Sequence, residues 1–190
     1  MPRVLVPLAQ GCEELEAVTI IDLLRRAGIE VLSAGLDERP VKASRGVNLI
    51  PDTSLDEALK GEFDMVVLPG GLPGADHLDR DPRIRNLLQK MASEQRYTAA
   101  ICAAPKVLAS AGLLTGRRAT SYPGVLEALA TNDIHLSTES VVADGKLITS
   151  RGPGTAMDFA LKLIEVLLGP GKRDEVERGL MRPPDQHMAR

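Results

Sequence analysis

The chain has 190 residues, 44% of them hydrophobic and 26% charged, which is the profile of a soluble globular protein long enough for one domain with a substantial core. Its net charge of -3 comes from 23 basic and 26 acidic residues with no basic block, and aromatic residues make up 2% with no Trp. Phosphate-tracking grooves and base-stacking platforms are thereby excluded, and nucleic acid with them. The amino terminus carries an apolar run too short for a secretory signal or a membrane span. Two cysteines, Cys12 and Cys102, stand ninety positions apart. That usage suggests free thiols in a reducing cytoplasm and fits no metal site, so neither a metal nor a membrane partner is expected.

In chain order, "RVLVPLA" (3 to 9) reads as the first strand and "EELEAVTIIDLLRRAG" (13 to 28) as a helix with apolar residues at helical spacing, ended by Gly28. "EVLSAG" (30 to 35) is the second strand, "VKASRGVNLIP" a pair of small strands, and "SLDEALK" (54 to 60) a short helix with Ser54 as N-cap. "FDMVVLPGG" (63 to 71) is apolar almost throughout, as for a parallel strand covered on both faces, and it ends in a glycine turn. "DPRIRNLLQKMASEQ" opens a helix at Asp81 and Pro82. "YTAAICAAPKVLASAGLL" (97 to 114) is a strand, a cysteine and a helix; "RATSY" (118 to 122) is a strand, and a helix is expected around "GVLEALA". Asp144 and Gly145 fit a hairpin turn, "GTAMDFALKLIEVLLG" (154 to 169) is the last strong helix, and residues 169 to 190 suggest a short helix and a mobile tail. This alternation predicts a single α/β domain, a mostly parallel sheet with helices on both faces.

Ligands of such folds gather at the carboxyl ends of the strands. Three turns should meet there: "QGCEELE" (10 to 16), "PGGLPGAD" (69 to 76) and "CAAPK" (102 to 106). Cys102 is either a packed structural thiol or, under the start of a helix, a reactive one. Glu16 is either a solvated carboxylate or a partly buried acid that keeps its proton and gives a hydrogen bond to sulfur, so that the thiol ionises near neutrality. Gly70 and Gly71 offer backbone N–H groups to an oxyanion or form a plain turn. Arg45 and Arg151 are candidates for an anionic substrate group, a subunit contact or surface ion pairs, and "SRGPGT" (150 to 155) for an anion site or a helix cap. Cys12 is read as an independent, partly exposed thiol.

Taken together, "GCEELEAV", "RRAGI", "VVLPGG", "AAICAAP" and "TSRGPGT" resemble the ThiJ/PfpI superfamily, in the branch of the Parkinson-disease protein deglycase and its bacterial relatives, over residues 2 to about 168. The resemblance implies a flavodoxin-like three-layer sandwich, a homodimer and no cofactor. It implies Cys102 as nucleophile at a strained elbow, Glu16 as its hydrogen-bonding carboxyl, and the N–H groups of Gly71 and Ala103 facing the substrate oxygen. It implies a glyoxalase or protein deglycase acting on methylglyoxal, glyoxal or glycated amino acids and proteins, or else a redox-sensing chaperone whose cysteine oxidises to sulfinic acid. Where many relatives carry a His, this chain has Tyr122, a poor proton acceptor at neutral pH, which argues against a protease-like Cys-His-acid triad.

Overall fold

The computed structural model describes residues 1–129 and 133–182. Seven strands form one sheet. The chain runs β1 (Arg3–Leu8), α1 (Glu14–Arg26), β2 (Glu30–Gly35), the antiparallel pair β3 (Val41–Lys42) and β4 (Asn48–Leu49), then β5 (Thr53–Ser54) and α2 (Leu55–Ala58). It continues with β6 (Met65–Leu68), α3 (Gly74–Arg80), α4 (Pro82–Ser93), β7 (Tyr97–Ile101) and α5 (Pro105–Ser110). A small parallel pair, β8 (Arg118–Ala119) and β9 (His135–Leu136), precedes the hairpin β10 (Val141–Asp144) and β11 (Leu147–Ser150). A 3-10 turn at Pro153–Thr155 leads into α6 (Ala156–Leu168) and α7 (Pro170–Gly179). The main sheet has the order β10-β11-β7-β6-β1-β2-β5, parallel except for β10, as the alternating pattern predicts.

Strand alternation divides the core. Val4, Val6 and Leu8 of β1 belong to a buried cluster with Ile20 and Leu24 of α1 and Phe159 and Leu163 of α6, whereas Leu5 lies among Ile84 and Leu88 of α4 and Leu108 of α5. Helices therefore cover both faces, which is why β6 reads as unbroken apolar sequence. Each such buried side chain contributes about 1.5–3 kcal/mol relative to exposure. No helix among the described residues is long and apolar enough to cross a membrane.

Several local expectations need correction. Residues 124–128 form turns rather than a helix: Val125 N–H bonds Tyr122 O at 3.1 Å, Ala128 N–H bonds Gly124 O at 3.3 Å and Leu129 N–H bonds Leu126 O at 3.0 Å, a mixture of spans that makes no continuous helical ladder. Ala130, the last residue of that expected helix, lies outside the described residues. The strand expected over 118–122 is only two residues long, because Thr120 N–H turns to Thr149 Oγ1 and Tyr122 N–H to Cys102 O. The hairpin pairs Asp144 with Leu147, so its turn is Gly145–Lys146, one residue later than expected. Ser54 stands at the N-cap of α2 without a side-chain cap bond, while Asp81 does cap α4 by accepting from Arg83 N–H at 2.9 Å. Helix α3, opening on a glycine after "GGLP", was not anticipated. The carboxy-terminal short helix is α7; the expected tail at 183–190, with His187, lies outside the described residues.

Candidate active site

The three turns that follow β1, β6 and β7 meet at the carboxyl edge of the sheet, and glycine is what lets them. A Cβ on Gly70 would lie 2.7 Å from Cys102 Cβ and 2.9 Å from Ala103 N; one on Gly74 would lie 2.6 Å from Cys12 N. On Gly71, at φ +87, a Cβ would lie 2.6 Å from Gly11 O and would also meet the Glu13 backbone nitrogen. Apart from Cys102 Cβ, itself fixed by its backbone, these neighbours are main chain, and none can swing aside. Gly71→Ala is expected to destabilise the fold by about 3 kcal/mol, seen as a lower urea midpoint with an unchanged slope.

Cys102 lies one residue beyond β7 and has φ +64, a left-handed conformation that costs a non-glycine residue about 1–3 kcal/mol. Hydrogen bonds hold it there: its N–H donates to Ser150 O at 3.0 Å, and its carbonyl accepts from Tyr122 N–H at 2.9 Å. The elbow turns the side chain out of the sheet toward the first and second turns. Pro105 then starts α5. Cys102 is 9% exposed. The backbone N–H groups of Gly71 and Ala103 are near enough to its sulfur to favour the ionised form.

Glu16, in the first turn of α1, is fully buried. Its Oε2 accepts the Gly70 N–H at 2.8 Å, so the Gly70 N–H expected at an oxyanion instead orients the acid, and Gly71 and Ala103 remain as the donor pair. Its Oε1 is buried without a hydrogen-bond partner, and the group its ionisation couples to is the Cys102 thiol. Burial pushes this carboxyl up to about 7, opposed by the Gly70 N–H and by Cys102. Since Oε2 is committed as acceptor, the proton belongs on Oε1.

The thiol does not follow the expectation of ready ionisation near neutrality. Burial pushes Cys102 up to about 12, and the charge of Glu16 adds to that, while the Gly71 and Ala103 N–H groups oppose it. Helix α5 is only six residues long, so little dipole is available in compensation. Two acids this close share their protons. Once the pair has lost one proton, it exists as carboxylate with thiol or as carboxylic acid with thiolate; only the second form is nucleophilic, and in it Glu16 O–H and two backbone N–H groups surround the sulfur. Activation is thus a property of the pair.

The remaining candidates fall around this centre. Tyr122 is 53% exposed and joins Cys102 through its backbone. Arg151 donates from Nη1 to Thr138 O at 3.0 Å. Arg45 is exposed on the β3–β4 hairpin, and its backbone N–H donates to the Glu14 carboxylate at 2.9 Å. Although burial pushes Glu14 up, N–H groups including those of Arg45 and Val47 hold it below the usual range. In "SRGPGT", Thr155 Oγ1 takes the Gly152 N–H at 3.1 Å, so the segment caps its own turn. Cys12 is wholly buried, not partly exposed, because Gly74 packs on its backbone; burial pushes its thiol up to about 12. His77 is on α3 with Nδ1 donating to Gln10 O at 2.9 Å, a fixed structural role. The supporting Ser150 and Gly74 were missed from sequence: Ser150 acts through its carbonyl, which no side-chain pattern reveals.

The sheet order, the cysteine at a left-handed elbow and the buried acid near it together point to one class of α/β proteins. The chain belongs to the DJ-1/PfpI family, whose model matches residues 2–166. It is 48% identical over 178 residues to protein dj-1beta of Drosophila melanogaster, covering 93% of this chain and 95% of that protein. The crystal structure of that protein superposes with a TM-score of 0.92 at 46% identity, covering 96% of this chain and 99% of the other. Glutathione-independent glyoxalase DJR-1.2 of Caenorhabditis elegans is 36% identical over 171 residues, 90% of this chain and 91% of that protein. The structure described as oxidized Toxoplasma gondii DJ-1 gives a TM-score of 0.92 at 36% identity, covering 97% and 100%.

Proposed function

We propose that this protein is a cysteine-dependent glyoxalase and deglycase, acting on methylglyoxal or glyoxal and on their early adducts with amines or thiols. The observation that carries it is the grouping of Cys102, the proton-holding Glu16 and the Gly71 and Ala103 N–H donors around one sulfur. The sulfur adds to the aldehyde carbon, forming a C–S bond, and the carbonyl electron pair moves to oxygen, which the two N–H groups stabilise. Glu16 relays the proton from C1, by way of its carboxyl, to C2, so that C1 rises to the acid oxidation level as the neighbouring ketone falls to an alcohol. Water then cleaves the thioester, giving lactate from methylglyoxal and restoring the thiol. Oxidation and reduction balance within the substrate, and the scheme calls on no cofactor. The glyoxalase name of the nematode relative agrees with this chemistry. The test is consumption of methylglyoxal by the purified chain without glutathione, against the Cys102→Ala variant.

The same proposal includes a homodimer in the cytoplasm. Leu15 and Val18 of α1 are each 50% exposed and Met157 of α6 is 45% exposed, on two helices that pack together, an apolar surface a second copy would cover. A redox-sensing chaperone is a second reading, favoured by the contrast between Cys102, which reaches the surface, and Cys12, which does not. Peroxide would take the thiol to sulfenic and then sulfinic acid, releasing one water at each step. Mild peroxide is then expected to add two oxygens at Cys102 and none at Cys12, as read by intact mass and peptide mapping; equal modification of both would remove this reading.

A further inference from the structure

Tyr122 is anchored at both ends of the residue. Its N–H donates to the carbonyl of the nucleophile at 2.9 Å. Its ring lies against the bare Cα of Gly152: a Cβ there would come within 3.3 Å of Cδ2 and 3.9 Å of Cε2. Gly152 in turn lies two residues beyond Ser150, whose carbonyl holds the Cys102 N–H. Despite these anchors the side chain is 53% exposed, and among the described residues its hydroxyl makes no hydrogen bond. The result is a fixed aromatic surface bordering the backbone of the Cys102 elbow. The other long side chain of this rim, Arg151, is turned to the Thr138 carbonyl.

We propose that Tyr122 is the specificity-determining residue of the site, an apolar ledge that receives the carbon substituent of the carbonyl compound. This rests on the carbonyl-consuming reading of Cys102. With the substrate oxygen directed at the Gly71 and Ala103 N–H groups and the reacting carbon at sulfur, the substituent is the part left to be accommodated. A half-exposed ring rewards methyl and aryl groups and gives nothing to a bare hydrogen. The preferred substrate class is therefore α-oxoaldehydes with an apolar substituent, ranked phenylglyoxal, methylglyoxal, glyoxal. The phenol has no proton to transfer in this role, so its hydroxyl is dispensable.

The test compares kcat/KM for those three compounds in wild type, Tyr122→Ala, Tyr122→Phe and Gly152→Ala. Tyr122→Ala is expected to lose about three- to tenfold for methylglyoxal, more for phenylglyoxal and least for glyoxal, chiefly through KM. Tyr122→Phe keeps the wild-type ranking. Gly152→Ala, whose new methyl would lie 3.3 Å from the ring and nudge it by a few tenths of an ångström, shifts the ranking slightly toward that of Tyr122→Ala. Equal losses for all three compounds, or a Phe variant as impaired as the Ala variant, overturns the ledge. A measurement independent of turnover uses alkylation of Cys102 by phenacyl bromide relative to iodoacetamide: wild type favours the aryl reagent and Tyr122→Ala loses that preference. If wild type consumes none of the oxoaldehydes, the enzymatic reading fails, while the alkylation ratio still decides the ledge; an unchanged ratio sinks it.

Discussion

Cys102→Ala is expected to reduce methylglyoxal consumption to the uncatalysed rate, a loss on the order of a thousandfold or more, since no second group in the site can form the covalent bond. The Glu16 carboxyl, with one oxygen on the Gly70 N–H and the other buried without a hydrogen-bond partner, serves as a proton carrier and not as a nucleophile. Cys12 cannot substitute, because its side chain is wholly enclosed whereas Cys102 is 9% exposed. The replacement should fold. Alanine tolerates φ +64 no worse than cysteine, and the bonds from Cys102 N–H to Ser150 and from Tyr122 N–H to the Cys102 carbonyl are main-chain bonds that survive. Cys102→Ser provides the sharper comparison: it preserves shape and polarity but offers a hydroxyl far harder to ionise, and is expected to be as inactive as the alanine variant. Cys12→Ala should retain turnover. Steady-state rates with lactate quantified as product check all three, and an active Cys102→Ala protein would end the proposal.

Glu16→Gln is expected to lower kcat about a hundredfold and to remove the pH dependence of the rate near 7. In the wild type the reactive tautomer becomes available only after the pair has lost its first proton, so the rate should rise through an apparent pKa of about 7 that belongs to both groups. Glutamine can still accept the Gly70 N–H but cannot carry a proton to or from carbon. Stability supplies an independent check. The folded-state value of about 7 lies above the ordinary 4.5, so between those values the folded chain binds more protons than the unfolded chain. The favourable contribution is complete below about pH 4.5, declines as pH rises, and is gone above about 7. Relative to Glu16→Gln, the wild type should lose stability on the order of 3 kcal/mol between pH 5 and 8. Urea unfolding at several pH values measures this, and parallel curves for the two proteins would show that Glu16 holds no extra proton.

Much of this architecture is legible from residue order alone. Unbroken apolar strands such as "MVVL" and the helical spacing of Leu24 and its neighbours announce a covered parallel sheet, and that sheet puts residues 10 to 16, 69 to 76 and 102 to 106 on one edge before any coordinates are known. Cys102 and Glu16 could be paired on that basis, with the family resemblance adding the particular roles. What could not be read was direction. Gly70 and Gly71 are indistinguishable as letters, yet one N–H serves Glu16 and the other the sulfur. Burial, too, depends on neighbours remote in sequence: Cys12 is enclosed by Gly74, sixty-two positions away. The thiol's resistance to ionisation follows from the same enclosure, which a local helix-start rule cannot anticipate. Over 124–128 the expected helix gives way to turns whose backbone bonds mix three- and four-residue spans, a choice that the local letters do not reveal.

The oxygen cradle proposed for this site consists of peptide nitrogens belonging to two different loops, each pinned by contacts between main chains. Side-chain replacement cannot retune it in small steps, so adaptation toward new metabolites is channelled to the periphery, where one aromatic residue can be exchanged at little structural cost. Under the proposed function, one reaction with a changeable menu is the natural outcome of building the reactive centre from backbone and the entrance from a single replaceable ring.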